Sequence, residues 1–310
     1  MTPSVDVLNS LSFAGATLSP LFLQDPRTGS AGALFEALSL LNADEATAEW
    51  PLADKTEAQE GLDLIVAGLK ASRATEADGA FCAEDKLVDE YRRLFIGPAQ
   101  KPAPPWGSVY TDREQVIFGE STLRLRSWMR QHGIARLADD RMPDDHIGLM
   151  LSLLATLTEE RPELVEEYLS EHLLPWAPHY LGLLEVCAEH PFYKGLALLT
   201  KATLKGAQDE LSLVEIETRF YRVDGQCCRT KKGPPKQPHA INKISCTTAK
   251  ESLRCGLHGA LVAAVAPTVD DVLVAVDADE LAVVGALLAF DLAGLEVEVE
   301  HRLEVEGAAC

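Results

Sequence analysis

Basic side chains are in short supply in this 310-residue chain. Twenty-eight Lys and Arg face 48 Asp and Glu, a formal net charge of −20. Such a surface repels phosphate backbones, which argues against bulk nucleic-acid binding, and it attracts basic peptides. Also missing is any apolar run of the roughly 20 residues that a membrane span needs. The start, Met1-Thr2-Pro3-Ser4-Val5-Asp6, has no basic stretch leading into an apolar one, so no secretory signal is expected. The seven cysteines are an odd number without paired short spacings, unlike a secreted disulfide scaffold. There is no Gly-rich phosphate loop and no nucleophile elbow. These absences leave a soluble, cytoplasmic globular protein as the expectation. Its 47% hydrophobic content is enough for a full core.

The chain changes character near Arg222. All four tryptophans (Trp50, Trp106, Trp128, Trp176) precede it, and five of the seven cysteines follow it. Residues 1–222 carry 20 basic and 35 acidic side chains, residues 223–260 carry 7 and 2, and residues 261–310 carry 1 and 11. The stretch Thr230-Lys231-Lys232-Gly233-Pro234-Pro235-Lys236-Gln237-Pro238 has linker composition, since Pro and Gly stop helices and Lys stays solvated. Three parts are therefore expected: a helical domain over 1–222, a basic linker over 223–260, and a small appendage over 261–310.

The first part reads as helices. Leu87, Val88, Tyr91, Leu94 and Phe95 form an i, i+3, i+4, i+7 stripe that Gly97-Pro98 ends. Pro143 suits a first helical turn, with Asp144 and Asp145 at the positive end of the dipole. The nearly continuous apolar run from Ile147 to Leu154 predicts a buried central helix. Further patterns run from Pro162 to Leu174, from Tyr180 to Cys187, and from His190-Pro191 to Leu211. The fold class expected is all-α, a single helical bundle. In the last fifty residues Val272–Val276 reads as a strand, Asp279 to Leu292 as a helix and Leu295–Glu300 as an alternating strand, a small α+β appendage.

Chemistry is scarce in the helical part. The one catalytic-looking pair, Asp145-His146, occupies adjacent positions that do not face each other on a helix. An N-terminal cap with a buried, hydrogen-bonded histidine accounts for it better.

Longer strings carry more. Tyr91-Arg92-Arg93-Leu94-Phe95-Ile96-Gly97-Pro98 leads to Pro104-Pro105-Trp106-Gly107-Ser108-Val109-Tyr110, then Gly119-Glu120-Ser121-Thr122-Leu123 and Trp128-Met129-Arg130. Pro143-Asp144-Asp145-His146-Ile147-Gly148, His172-Leu173-Leu174-Pro175-Trp176 and Glu189-His190-Pro191-Phe192-Tyr193 follow in order. Together with Gly15…Leu21-Phe22 and Trp50-Pro51, this series resembles the TorD/DmsD family of redox-enzyme maturation proteins, its DmsD branch in particular, over residues 10–222.

The resemblance implies an all-α cytoplasmic chaperone, not an enzyme, with no catalytic residue, metal or cofactor of its own. Its partners would be the twin-arginine signal peptide, and the body, of a dimethyl-sulfoxide-reductase-type molybdopterin oxidoreductase subunit. Export would be held back until the cofactor is inserted. A basic leader followed by an apolar segment needs an apolar groove near carboxylates. Tyr91, Leu94, Phe95, Trp106 and Tyr110 are the groove candidates, with core packing as the plain alternative for each. Asp144 and Asp145 are candidates for the arginines, with His146 orienting that contact. A homo-oligomer is compatible with this family type.

Departures stand at Tyr91, where near relatives have Trp, at Leu23-Gln24 in place of an aromatic pair, and at Ala207, where the last helix usually has Trp. Relatives of this type end near Phe220-Tyr221-Arg222. Val272 to Glu306 resembles the second half of a TusA-type sulfur carrier but lacks that family's Cys-Pro-x-Pro motif. A metal site from Cys227, Cys228, Cys246 and Cys255 with His239 or His258 has enough ligands but not the usual spacing. A bifunctional chaperone with a sulfur-carrier or metal-binding tail is thus the alternative reading.

Overall fold

The structure, a computed structural model, describes residues 3–26, 29–77, 86–97, 99–136 and 142–222. The linker and appendage expected over 223–310 lie outside the described residues, as do the cysteines and histidines proposed there as ligands.

The described residues form an all-helical bundle without a strand; an isolated bridge between Trp106 and His146 is the nearest thing to one. Helix α1 (Val5–Leu23) begins where the Ser4 side chain accepts the Val7 amide, and it buries Leu11, Ala14, Leu18, Leu21 and Phe22. It lies along α8 (Ile147–Glu160), whose residues Ile147 to Leu151, Leu153, Leu154 and Leu157 are all buried. The two backbones meet at Gly15, where a Cβ would stand 2.7 Å from the Leu151 carbonyl oxygen. That proximity is why the near-continuous apolar run reads correctly as a central helix.

A second pair, α4 (Lys55–Ala77) with α11 (Pro191–Glu210), packs on facing glycines: a Cβ on Gly195 would sit 2.4 Å from the Gly61 carbonyl oxygen. Helix α11 starts on His190, whose Nδ1 accepts the Phe192 amide at 3.2 Å, with Pro191 in the first turn. Its far end explains one departure from the family pattern. Ala207 is 0% exposed, and its neighbour Gly206 lies against the carbonyl of Leu52, which takes a left-handed φ of 66°. The site is sized for small residues, and a tryptophan has no room.

Short helices α2 (Gly29–Leu40) and α3 (Ala43–Glu49) flank α4. Helix α5 (Lys86–Tyr91) runs straight into a π-helical turn, Arg92–Ile96. The Gly97 amide closes that turn on the Arg92 carbonyl at 2.6 Å. After α6 (Ser108–Thr111) and α7 (Glu120–Gln131), the expected helix from Pro162 to Leu174 appears in three pieces. These are a 3-10 turn (Pro162–Leu164), α9 (Val165–Tyr168) and a second π turn (Leu169–Leu173). Helix α10 (Ala177–Cys187) completes the set.

The turn between α10 and α11 is pinned by charge. Glu90, 5% exposed, accepts from Arg93 Nε at 2.7 Å and Nη2 at 2.8 Å, and from the Glu189 and His190 amides at 2.6 and 3.3 Å. Arg93 Nη2 also donates to the Cys187 carbonyl at 2.6 Å. A buried charge that accepts four hydrogen bonds acts as a rivet.

One boundary differs from the sequence reading. Helix α8 begins at Ile147, not at Pro143. Asp145 and His146 are spent instead on contacts with the 105–108 segment, and Asp144 on Arg126 and Arg136.

Candidate functional site

The candidate site is where residues 104–112 cross the entry to α8. The Gly107 amide donates to the Asp145 carbonyl at 3.1 Å, and the Ile147 amide donates to the Pro105 carbonyl at 2.9 Å. This fixes Trp106 opposite His146, their rings edge to face at 5.9 Å. His146 Nδ1 accepts the Gly148 amide at 3.1 Å, so its neutral form carries the proton on Nε2. Burial pushes its pKa down to about 3. His146 is therefore an uncharged cap on α8.

Asp145 is 3% exposed. Its Oδ2 accepts the Ser108 amide at 2.7 Å, while no well-formed hydrogen bond reaches Oδ1. Burial pushes the carboxyl above its usual range, and the Ser108 amide with the Ser108 and Thr122 hydroxyls pulls the other way. Those hydroxyls face the carboxylate without closing a bond: Ser108 Oγ and Thr122 Oγ1 are themselves buried and unpartnered. Trp106 Nε1, Arg126 Nη2 and His172 Nε2 are in the same condition. Buried polar groups are normally satisfied, so their concentration around one junction marks a place prepared for water or for a ligand.

A small cleft of about 30 Å³ opens beside Asp145, floored by Trp176 and Leu125. Thr111, Ser121, Arg124, Glu171 and His172 complete its polar wall. Room for about one water is present. Glu171 and Arg124 are exposed, so the rim can open without disturbing the core. His172, in the second π turn, packs its ring 5.0 Å from Trp128. Burial, reinforced by the Arg124 charge and opposed by Glu167, lowers its pKa to about 4.

Asp144 stands differently. Though 6% exposed, its carboxylate is clamped by Arg126 Nε and, at 2.8 Å, by Arg136 Nε. The guanidinium of Arg126 also lies 5.1 Å over the Phe118 ring. Phe118 belongs to the loop between α6 and α7, where Gln115 and Phe118 take left-handed φ values of 53° and 61° and Val116 and Ile117 are exposed. Non-glycine residues held there store strain, a feature common at binding sites.

The sequence candidates divide into two groups. Trp106, Tyr110, Asp144, Asp145 and His146 meet at this junction. Tyr110 is 0% exposed, donates from its hydroxyl to the Pro104 carbonyl at 2.7 Å and stacks on Trp176. Tyr91, Leu94 and Phe95 belong to the first π turn and its approach, and they pack with Phe22 and Tyr193. Leu94 is 0% exposed and Phe95 7%, and the Tyr91 hydroxyl donates to the Leu23 carbonyl at 2.6 Å. Of the eight, Trp106 alone is more than marginally exposed.

Sequence reasoning missed Ser108, Thr111, Ser121, Thr122, Glu171 and His172. The hydroxyl pair in Gly119-Glu120-Ser121-Thr122 was visible, but its direction was set by the Asp112 carboxylate, which accepts the Ser121 amide at 3.1 Å. Among the described residues there is no group of three His, Cys, Asp or Glu side chains able to hold a metal ion. No described helix is long and apolar enough to cross a membrane.

Comparison with known proteins fits this arrangement. Residues 51–181 match the nitrate reductase delta subunit family. The chain is 37% identical over 218 residues to a probable Tat proofreading chaperone DmsD of Haemophilus influenzae, covering 70% of this chain and 99% of that one. It is 40% identical over 195 residues to the Tat proofreading chaperone DmsD of Salmonella typhi, covering 63% and 87%. It is 28% identical over 208 residues to the chaperone protein YcdY of Escherichia coli, covering 66% and 97%. These relatives are chaperones rather than enzymes. An all-helical bundle, the ordered strings from Tyr91 to Tyr193 and near-complete coverage of a relative agree: the chain belongs to the TorD/DmsD family of redox-enzyme maturation chaperones.

Proposed function

We propose that this chain is a cytoplasmic chaperone that binds the twin-arginine leader, and the body, of a dimethyl-sulfoxide-reductase-type molybdoenzyme subunit, and delays its export until the cofactor is in place. The observation that carries the reading is the unpartnered Oδ1 of Asp145, withdrawn from water at the mouth of a cleft whose rim holds Glu171. An arginine donates in a fixed fork, and a carboxylate with a vacant acceptor in a low-dielectric cleft is its natural complement. Asp144, already holding two arginines of the chain itself, supports the geometry from behind or exchanges one of them. Trp106 supplies an aromatic face beside it, and the exposed Val116, Ile117 and Leu123 supply surface for the leader's apolar run. Tyr91, Leu94, Phe95 and Tyr110 act in this reading by holding the walls in register, and His146 by fixing the entry to α8.

The test is titration of the full chain with a labelled twin-arginine leader peptide and its Lys-Lys counterpart. Tight binding of the first and at least tenfold weaker binding of the second is the expected result. Equal binding of both, or of neither, overturns the reading.

A further inference from the structure

Helix α11 is followed by an extended strap that returns across the molecule to the candidate site. Its end is tied at several points: the Tyr221 amide donates to the Tyr110 carbonyl at 2.9 Å, and Gln115 Nε2 donates to the Tyr221 carbonyl at 3.0 Å. Arg222 Nη2 donates to the Lys101 carbonyl at 3.0 Å, and His179 Nε2 lies 3.0 Å from the Arg222 carbonyl oxygen. Phe220 stacks on the His179 ring at 4.0 Å and 11°.

The anchor decides where the following chain departs. Tyr110 shares α6 with Ser108, whose amide holds Asp145. Within one helix turn, about 5 Å of axis, the exit of the chain and the cleft that holds Asp145, Glu171 and Arg124 are neighbours.

What leaves there is basic. Residues 223–260 hold 7 basic and 2 acidic side chains and include Cys227-Cys228-Arg229-Thr230-Lys231-Lys232. The seven residues that follow Arg222, through Arg229, span at most about 25 Å of extended chain. Residues 1–222 carry 35 acidic against 20 basic side chains, so the charges are complementary.

We propose that the Asp145–Glu171 cleft is a docking surface for this chain's own segment around Arg229, Lys231 and Lys232, which competes there with an incoming basic leader. The exposed rim at Arg124 and Glu171 parts to let the guanidinium of Arg229 reach the buried Asp145 Oδ1, and Glu171 receives a lysine. Tethering places the segment at an effective concentration on the order of millimolar, so even a weak internal contact sets a threshold for outside ligands. A leader with two arginines and an apolar run exceeds the threshold, and lesser basic peptides do not. The competition half of the proposal rests on the leader-binding reading above; the docking half does not.

The experiment uses the full chain in three forms. These are the wild type, an Arg229→Gln/Lys231→Gln/Lys232→Gln variant, and a control, Lys70→Gln/Lys194→Gln/Lys205→Gln, with the same loss of charge on α4 and α11. Zero-length carbodiimide cross-linking of the free protein, mapped by mass spectrometry, should join Lys231 or Lys232 to Glu171 or Glu120. Cross-links from those lysines only to other carboxylates overturn the docking, and so does their confinement to hybrid species in a mixture of ¹⁴N and ¹⁵N chains, which means a second copy is the occupant. Leader affinity should tighten about tenfold in the Arg229 variant and stay within twofold in the control. Equal affinity across all three forms overturns the competition. Absence of leader binding in every form sinks the leader reading instead, and the cross-links still decide the docking.

Discussion

Glu90 and Asp145 are both carboxylates taken out of water, and they are built in opposite ways. Around Glu90 the chain supplies a forked arginine and two backbone amides, so the acceptor sites are filled and the α10–α11 turn is locked. Around Asp145 it supplies one amide, two hydroxyls that fall short and a cleft. The same electrostatic problem is met with four donors at one position and with one amide at the other. A buried charge that is fully paired holds the fold together. One that is under-paired is costly to maintain, and it is the better place to look for a ligand.

The largest effect should come from breaking the closed centre. Glu90→Ala takes the carboxylate away from Arg93 and two amides and should cost about 3–4 kcal/mol, seen as a lower denaturation midpoint in urea. A loss below about 1 kcal/mol would remove the contrast with Asp145. The open centre should behave in reverse. Asp145→Asn keeps the shape and an acceptor for the Ser108 amide, so stability should change by less than about 1 kcal/mol. Leader affinity should fall at least tenfold, about 1.4 kcal/mol, as a charge-assisted bond is lost. Strong destabilisation with unchanged binding would make Asp145 a second rivet.

Acidity bears on the open centre and on the buried histidines. Burial raises the Asp145 pKa in the folded state, so its contribution to stability is present below the unfolded value near 3.9 and is lost as pH rises through the folded one. The advantage of Asp145→Asn should therefore grow with pH. The buried histidines have the other sign. His146 and His172, lowered to about 3 and about 4, contribute stability that is intact above about 6.5 and lost as pH falls below it. Each adds a slope of at most about 1.4 kcal/mol per pH unit, and His172→Gln should flatten the thermal-melt profile between pH 6.5 and 4. The smallest effect is expected from Thr122→Val, which removes an unsatisfied buried hydroxyl. Stability should hold within about 0.5 kcal/mol or improve, and a loss above about 1.5 kcal/mol would show that the hydroxyl bond to Asp145 is fully formed.

The closed and open centres also differ in how readable they are in the sequence. The apolar run of α8 and the His190-Pro191 start of α11 are local signals, set by periodicity and capping, and they appear in the fold as expected. Asp145-His146 is legible as a cap pair, and the cap is His146. Glu90 shows in the sequence only its i, i+3 pairing with Arg93, because its partners at Glu189 and His190 are about a hundred residues away and the fold alone brings them near. The Asp144-Asp145 pair suggests a helix start at Pro143. The bridge to Trp106 moves that start to Ile147, a tertiary contact outweighing a local preference. The aromatic stripe of Tyr91, Leu94 and Phe95 looks the same in sequence whether it lines a groove or fills a core, and periodicity alone does not tell those apart.

The second π turn has a consequence for how such a protein changes its client. A π turn is an α-helix with one residue too many, taken up without breaking the rod. Each residue rotates the chain by about 100°, so the extra one at Leu169–Leu173 decides which side chains meet the cleft. Here those are Glu171 and His172. Deleting a single residue in this turn would swing that pair aside and leave Tyr168 and Trp176 to be re-registered by a fraction of a turn. The helix thus contains a one-residue dial for the cleft, and because His172 packs on Trp128 and Trp176 floors the cleft, turning it moves the aromatic wall as well.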